Sequence, residues 1–122
     1  MKKRILIIDD EDQIRRIYKK AFKAIGSSIF EVMAASSQAE ATNWVCRFPI
    51  DIIILDIKMP DIDGKYMFEV IREYNPDLKV VIASVYSVDY QKKLIPGASD
   101  YFDKSQGMIK LLEMVSRILA AN

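Results

Sequence analysis

The sequence predicts an α/β domain, a parallel sheet covered by helices. Three observations point there. Short apolar runs rich in β-branched residues alternate with amphipathic stretches along the whole chain. Ile5–Ile8 and Ile52–Leu55 are continuously apolar, as expected of strands buried on both faces. The polar residues Asp9, Asp10, Asp56, Ser84 and Lys104 fall where the strands should end. In open parallel sheets, ligands bind beyond the carboxyl ends of strands, where the strand order reverses.

The elements follow from periodicity. Behind strand Ile5–Ile8, the residues Ile14, Ile17, Tyr18, Ala21, Phe22 and Ile25 recur at helical spacing, and Gly26 is the expected stop. Ile29–Ala34 reads as the second strand. Ser37 and Glu40 fit a capping box that opens a second helix, with Ala41, Trp44, Val45 and Phe48 on its stripe. Ile52–Leu55 is the third strand. Met67, Val70, Ile71 and Tyr74 mark a third helix that ends before Pro76. Val80–Ala83 is the fourth strand. A short helix over Val88–Ile95 is cut off by Pro96-Gly97. Asp100–Asp103 is a short fifth strand, and Met108, Leu111, Leu112, Val115 and Leu119 define the last helix.

Composition narrows the function. The chain has 122 residues, enough for one domain of ordinary size. Eighteen basic residues against 17 acidic leave a formal charge of +1, so no polyanion is recommended as partner. The absence of histidine excludes a Ser-His-Asp triad, a His-Cys zinc site and a phosphohistidine on this chain. The single cysteine, Cys46, excludes an internal disulfide and fits a reducing, cytoplasmic compartment. No apolar run is long enough for a signal-peptide core or a membrane span.

Topology would bring the three carboxylates to one edge. Two like charges about 4 Å apart repel by roughly 4 kcal/mol at an effective dielectric near 20. Lys104 alone cannot neutralise three of them, so either some are protonated or a cation sits among them. An all-oxygen cluster suits a hard cation, best Mg²⁺. An aspartate beside Mg²⁺ is a competent phosphoryl acceptor. The Ser84 hydroxyl and Lys104 would offer hydrogen bonds and positive charge to the transferred group.

These residues resemble a known family, the receiver domain of two-component response regulators. The resemblance rests on Asp9-Asp10, on Asp56-Ile57-Lys58-Met59-Pro60 with Asp63-Gly64, and on Ser84, Gly97-Ala98, Tyr101 and Lys104. It covers essentially the whole chain, so residues 1–122 are expected to form one receiver (phosphoacceptor) domain. It implies a flavodoxin-like three-layer sandwich with strand order 2-1-3-4-5 and five helices. It also implies a phosphorylation-dependent signalling switch rather than a metabolic enzyme. The domain would assist only its own phosphorylation and dephosphorylation. By resemblance, Asp56 is the phosphoacceptor, Asp10 the direct Mg²⁺ ligand and Asp9 a ligand acting largely through water. The backbone carbonyl of Lys58 completes the set. Lys104 pairs with Asp56 and then with the phosphoryl group, while Ser84 and Tyr101 form a coupled switch pair.

The implied partners are a sensor histidine kinase or a histidine phosphotransfer protein, with an unknown output partner. Direct nucleic-acid or membrane binding by this domain is not expected. The lysines at 19, 20 and 23 read as a solvated face of the first helix. The kinase and pathway are not legible. Met1 directly before the first strand favours a native N-terminus. The chain fits either a whole single-domain regulator or a receiver from a longer regulator or hybrid kinase.

Three departures from the family pattern carry expectations. Ser105 follows Lys104 where the family usually has proline after a cis bond. A cis bond before a non-proline costs about 2.5–4 kcal/mol, so this bond should be trans. Val85 stands where the family has a smaller residue and should narrow access to Asp56. The interval from Ser84 to Lys104 looks two residues short, so the fourth helix should span about two turns and be short or mobile. These departures also support a second reading, a receiver-fold module that binds partners without phosphorylation. A third reading, a haloacid-dehalogenase-type phosphohydrolase, requires an aspartate two positions after the nucleophile. Lys58 stands there.

Overall fold

The computed structural model describes residues 2–59 and 62–121, with the backbone alone for Lys58, Met59 and Ile62. Five strands form the central sheet: β1 (Lys3–Ile8), β2 (Phe30–Ala35), β3 (Ile52–Leu55), β4 (Lys79–Ser84) and β5 (Asp100–Asp103). All neighbours are parallel, in the order β2-β1-β3-β4-β5. The five helices are α1 (Asp12–Gly26), α2 (Gln38–Arg47), α3 (Gly64–Tyr74), α4 (Val88–Leu94) and α5 (Met108–Ala120). This is the flavodoxin-like arrangement that the resemblance implied.

Side chains alternate between two cores, as the strand period of two requires. Leu6, Ile8, Ile53, Leu55, Val80 and Ile82 face Met67, Phe68 and Ile71 of α3. Ile5, Ile7, Ile52, Ile54 and Val81 face Tyr18 and Phe22 of α1 and Leu111 and Val115 of α5. Every residue of β3 is buried, which explains why its sequence shows no polar alternation.

Several helix ends differ from the sequence expectation. Gly26 is the last helical residue, not a left-handed cap beyond the end; Ser27 follows with right-handed dihedrals. A Cβ on Gly26 would lie 3.2 Å from Ile29, so this glycine makes room for the chain entering β2. The Ser37 side chain accepts the Glu40 N–H at 3.2 Å, while Glu40 reaches back to the Ser36 N–H at 2.6 Å, one residue beyond a standard capping box. Phe48 lies past the end of α2 as its cap residue.

α4 has seven residues, about two turns, as the shortened segment predicts. Ser87 caps it by accepting the Tyr90 N–H at 3.3 Å. Gly97, at φ 89°, turns the chain back toward β5 where a side chain would be strained. Between β3 and α3, Lys58–Met59 pairs antiparallel with Ile62–Asp63, an element the apolar pattern did not reveal. Pro60 of the resembling motif lies outside the described residues. Among the described residues, no helix is long and apolar enough to cross a membrane.

Candidate functional site

The carboxyl ends of β1, β3, β4 and β5 meet on one rim of the sheet. Ile8 and Leu55, the last residues of β1 and β3, are register partners. The residues that follow, Asp9 and Asp56, therefore leave the sheet side by side. Their backbones extend the ladder by one step. The Asp56 N–H donates to the Ile8 carbonyl at 2.9 Å, and the Asp9 N–H to the Ala35 carbonyl at 3.2 Å.

Asp9, Asp10 and Asp56 each bring a carboxylate oxygen to within 4.8 Å of the others. Asp9 and Asp56 are only 2% and 3% exposed, and Asp10 is half-buried. Such crowding of like charge away from water requires compensation. Part of it is Lys104, whose Nζ donates to Asp9 at 2.9 Å and to Asp56 at 3.2 Å. Burial works against the Lys104 charge, but the Asp9 hydrogen bond and the charges of Asp56 and Asp9 outweigh it and hold its pKa above the usual lysine value. In formal charge one ammonium leaves the three-carboxylate cluster negative. Three carboxylate oxygens without nitrogen or sulfur donors suit a small hard cation, and Mg²⁺ fits this donor set.

The surroundings fix this constellation. The second oxygen of Asp9 accepts the Glu11 N–H at 2.9 Å, and Arg15 donates to the Asp9 carbonyl at 2.9 Å. Gly64, the first residue of α3, is needed for a close approach: a Cβ there would lie 2.5 Å from the Cα of Ile57, the residue after Asp56. Asp63 caps α3 by accepting the Lys65 and Tyr66 N–H groups at 3.0 and 3.2 Å. Under the rim, Tyr18 is buried on the inner face of α1. Burial, with the charges of Asp9, Asp56 and Glu11 added and that of Lys104 opposing, pushes its hydroxyl up to about 12.

Lys104 opens a 3₁₀ turn over Lys104–Gln106. The Asp103 carboxylate accepts the Ser105 N–H at 2.9 Å and its hydroxyl at 2.8 Å, and Gln106 accepts the Asp103 N–H at 3.2 Å. Among the described residues there is no cis peptide bond, so Lys104–Ser105 is trans as expected. Ser105 thus uses a donor that proline lacks to set the turn.

The remaining predicted residues sit further along. Ser84 ends β4, fully buried, and its Oγ accepts the Tyr86 N–H at 3.3 Å. Tyr101 faces the core on the α3 side of the sheet, with its hydroxyl donating to the Ile95 carbonyl at 2.5 Å and accepting the Ala98 N–H at 3.2 Å. Its hydroxyl therefore holds the α4–β5 loop. Lys58, two residues after Asp56, pairs through its backbone with Asp63. Val85 is 57% exposed at the end of β4.

Sequence reasoning missed Gln91. It is fully buried on α4, and its Nε2 donates to the carbonyls of Tyr86 at 2.8 Å and Phe102 at 2.9 Å. The available signal was a polar residue at helical spacing between Val88 and Ile95, on the stripe that faces the core. Arg72 of α3 was also missed. It lies over the Phe68 ring and donates to the carbonyls of Leu78 and Gly97, tying two loops together.

The fold agrees with comparisons to known proteins. The regulatory protein AtoC of Escherichia coli is 31% identical over 118 residues, which cover 95% of this chain and 25% of that protein. The chain spans about a quarter of the length of the first curated relatives it matches. A CheY-like receiver domain protein from Methanospirillum hungatei superposes with a TM-score of 0.89 at 26% identity, covering 99% of this chain and 96% of its own. The response regulator TrrA of Thermotoga maritima, solved with Mg²⁺ and BeF, superposes at 0.80 with 32% identity, covering 94% and 97%. Residues 5–116 match the family model for the response regulator receiver domain, and with this sheet order and this acidic rim the chain belongs to that family.

Proposed function

We propose that this receiver domain accepts a phosphoryl group on Asp56 from a partner phosphohistidine, in a Mg²⁺-dependent reaction, and changes its output surface as a result. The observation that carries this reading is the cluster of Asp9, Asp10 and Asp56 within 4.8 Å, bridged on one side by Lys104. TrrA, which was solved with Mg²⁺ and BeF, supports the choice of ion and of a phosphoryl-like ligand.

In this reading Asp9, Asp10, Asp56 and the Lys58 carbonyl hold the ion, which supplies positive charge beside the phosphoryl oxygens. A carboxylate oxygen of Asp56 attacks phosphorus, the P–N bond of the donor breaks, and the electron pair leaves with the imidazole. Lys104 exchanges its bond to Asp56 for one to a phosphoryl oxygen and keeps its anchor on Asp9. The Ser84 hydroxyl gives up its local role at Tyr86 and donates to another phosphoryl oxygen. Tyr101 already lies inward, so phosphorylation acts by changing how much of the population holds that arrangement. Water attack on phosphorus of the acyl phosphate breaks its bond to Asp56, releasing inorganic phosphate and returning the unmodified carboxylate. The biological role is a switch, and the only catalysis is of the domain's own modification.

The test is intact mass after incubation with a small-molecule phosphodonor and Mg²⁺. One added phosphoryl group, lost in Asp56→Asn and on chelation, is the expected result. No adduct on the wild type overturns the reading in favour of a module that binds without phosphorylation.

A further inference from the structure

We infer that Gln91 is a positioning residue for the phosphoryl site, acting through the backbone segments that carry Ser84 and Lys104. This rests on the reading of Asp56 as phosphoacceptor. The last register pair of the β4–β5 ladder is Ser84 with Asp103. Beyond it the chains part, β4 toward α4 and β5 into the 3₁₀ turn, and strand hydrogen bonding no longer fixes their separation. Gln91 ties the segment that leaves β4 back to Phe102 of β5, one residue before that last pair. Its two acceptors are the carbonyl of Tyr86, two residues after Ser84, and that of Phe102, two residues before Lys104.

The tie depends on donation. Both bonds run from the amide nitrogen to carbonyls, which uses both of its hydrogens. The amide oxygen has no partner among the described residues, so Gln91 is oriented by its two donated bonds. β5 is the edge strand, and its outward carbonyls have no neighbouring strand; Gln91 supplies one of them with a donor from α4. The Tyr86 peptide segment is held at both ends, its N–H by Ser84 Oγ and its carbonyl by Gln91. When the Ser84 hydroxyl turns to the phosphoryl group, the Gln91 bond is the one that keeps this loop in register with β5.

The test is Gln91→Met, which keeps length and volume and removes both donors. Mg²⁺ affinity should match the wild type, because the carboxylates bind the ion. Phosphorylation of Asp56 at saturating small-molecule donor should slow about tenfold, with little change in the half-saturating donor concentration. A folded variant with the wild-type rate overturns the proposal, as does a variant whose rate and Mg²⁺ affinity fall together. If the variant does not fold, the wild type decides. The Gln91 side-chain amide resonances should shift on adding Mg²⁺ and beryllofluoride, and unshifted resonances overturn the proposal. A wild type that takes no phosphoryl group overturns the underlying reading instead, which is a distinguishable result.

Discussion

Lys104 binds Asp9 at 2.9 Å, closer than the 3.2 Å that separates it from Asp56. The lysine expected to serve the phosphoacceptor is thus anchored on its neighbour. In the proposed reaction, that anchor would let Lys104 release Asp56 without losing its own charge partner.

Replacing Lys104 with Met leaves two buried carboxylates facing each other. Removing one partner of a buried ion pair costs up to about 3–5 kcal/mol. Urea unfolding without Mg²⁺ should show a loss approaching this figure, and Mg²⁺ should restore much of it by taking over the vacant charge role. A variant as stable as the wild type without Mg²⁺ would show that the pair contributes little.

Alkaline pH should unfold the domain through two groups with raised pKa. Lys104 is held above its usual 10.5, so its contribution is fully present below that value and is lost as pH rises through the folded pKa. Tyr18 is raised from 10.0 to about 12, so its contribution is present below pH 10 and is lost between there and 12. Tyr18→Phe should change little at neutral pH and should flatten the stability loss from Tyr18 ionisation. Denaturant unfolding across pH 8 to 12 checks this; a loss unaltered by the substitution contradicts it.

Gly64→Ala should destabilise by about 1–3 kcal/mol, because the new methyl group meets the Ile57 Cα at 2.5 Å and backbone must move. That movement lies next to Asp56, so phosphorylation should slow as well. Thermal unfolding with a parallel phosphorylation assay reads both effects.

Val85→Ala should shorten the lifetime of the phosphorylated protein several-fold, if Val85 limits the approach of water from the exposed end of β4. Dephosphorylation rates of the two proteins, measured side by side, decide it. Equal rates remove Val85 from the account.

Much of this was legible in the sequence because the signals are strong where burial is complete. The runs Ile5–Ile8 and Ile52–Leu55 have no polar interruption, and the aspartates that end them mark the rim directly. The short α4 followed from counting residues between Ser84 and Lys104. The illegible features depend on contacts between distant segments. Gly26 and Gly64 look like turn residues in sequence, yet both are there because another backbone or side chain comes close. The helical spacing of Gln91 with Val88 and Ile95 hints at burial, but the carbonyl it serves comes from β5 and is not legible locally. Ser105 reads as a defect beside the family's proline, and only the Asp103 hydrogen bonds show how the turn is set without it.

The most direct measurement is a crystal structure of the protein grown with Mg²⁺ and beryllofluoride, a phosphoryl mimic. The account predicts an ion among Asp9, Asp10 and Asp56, beryllofluoride on an Asp56 oxygen, and Lys104 reaching it from Asp9. An empty rim at saturating concentrations, with the carboxylates turned apart, would contradict it.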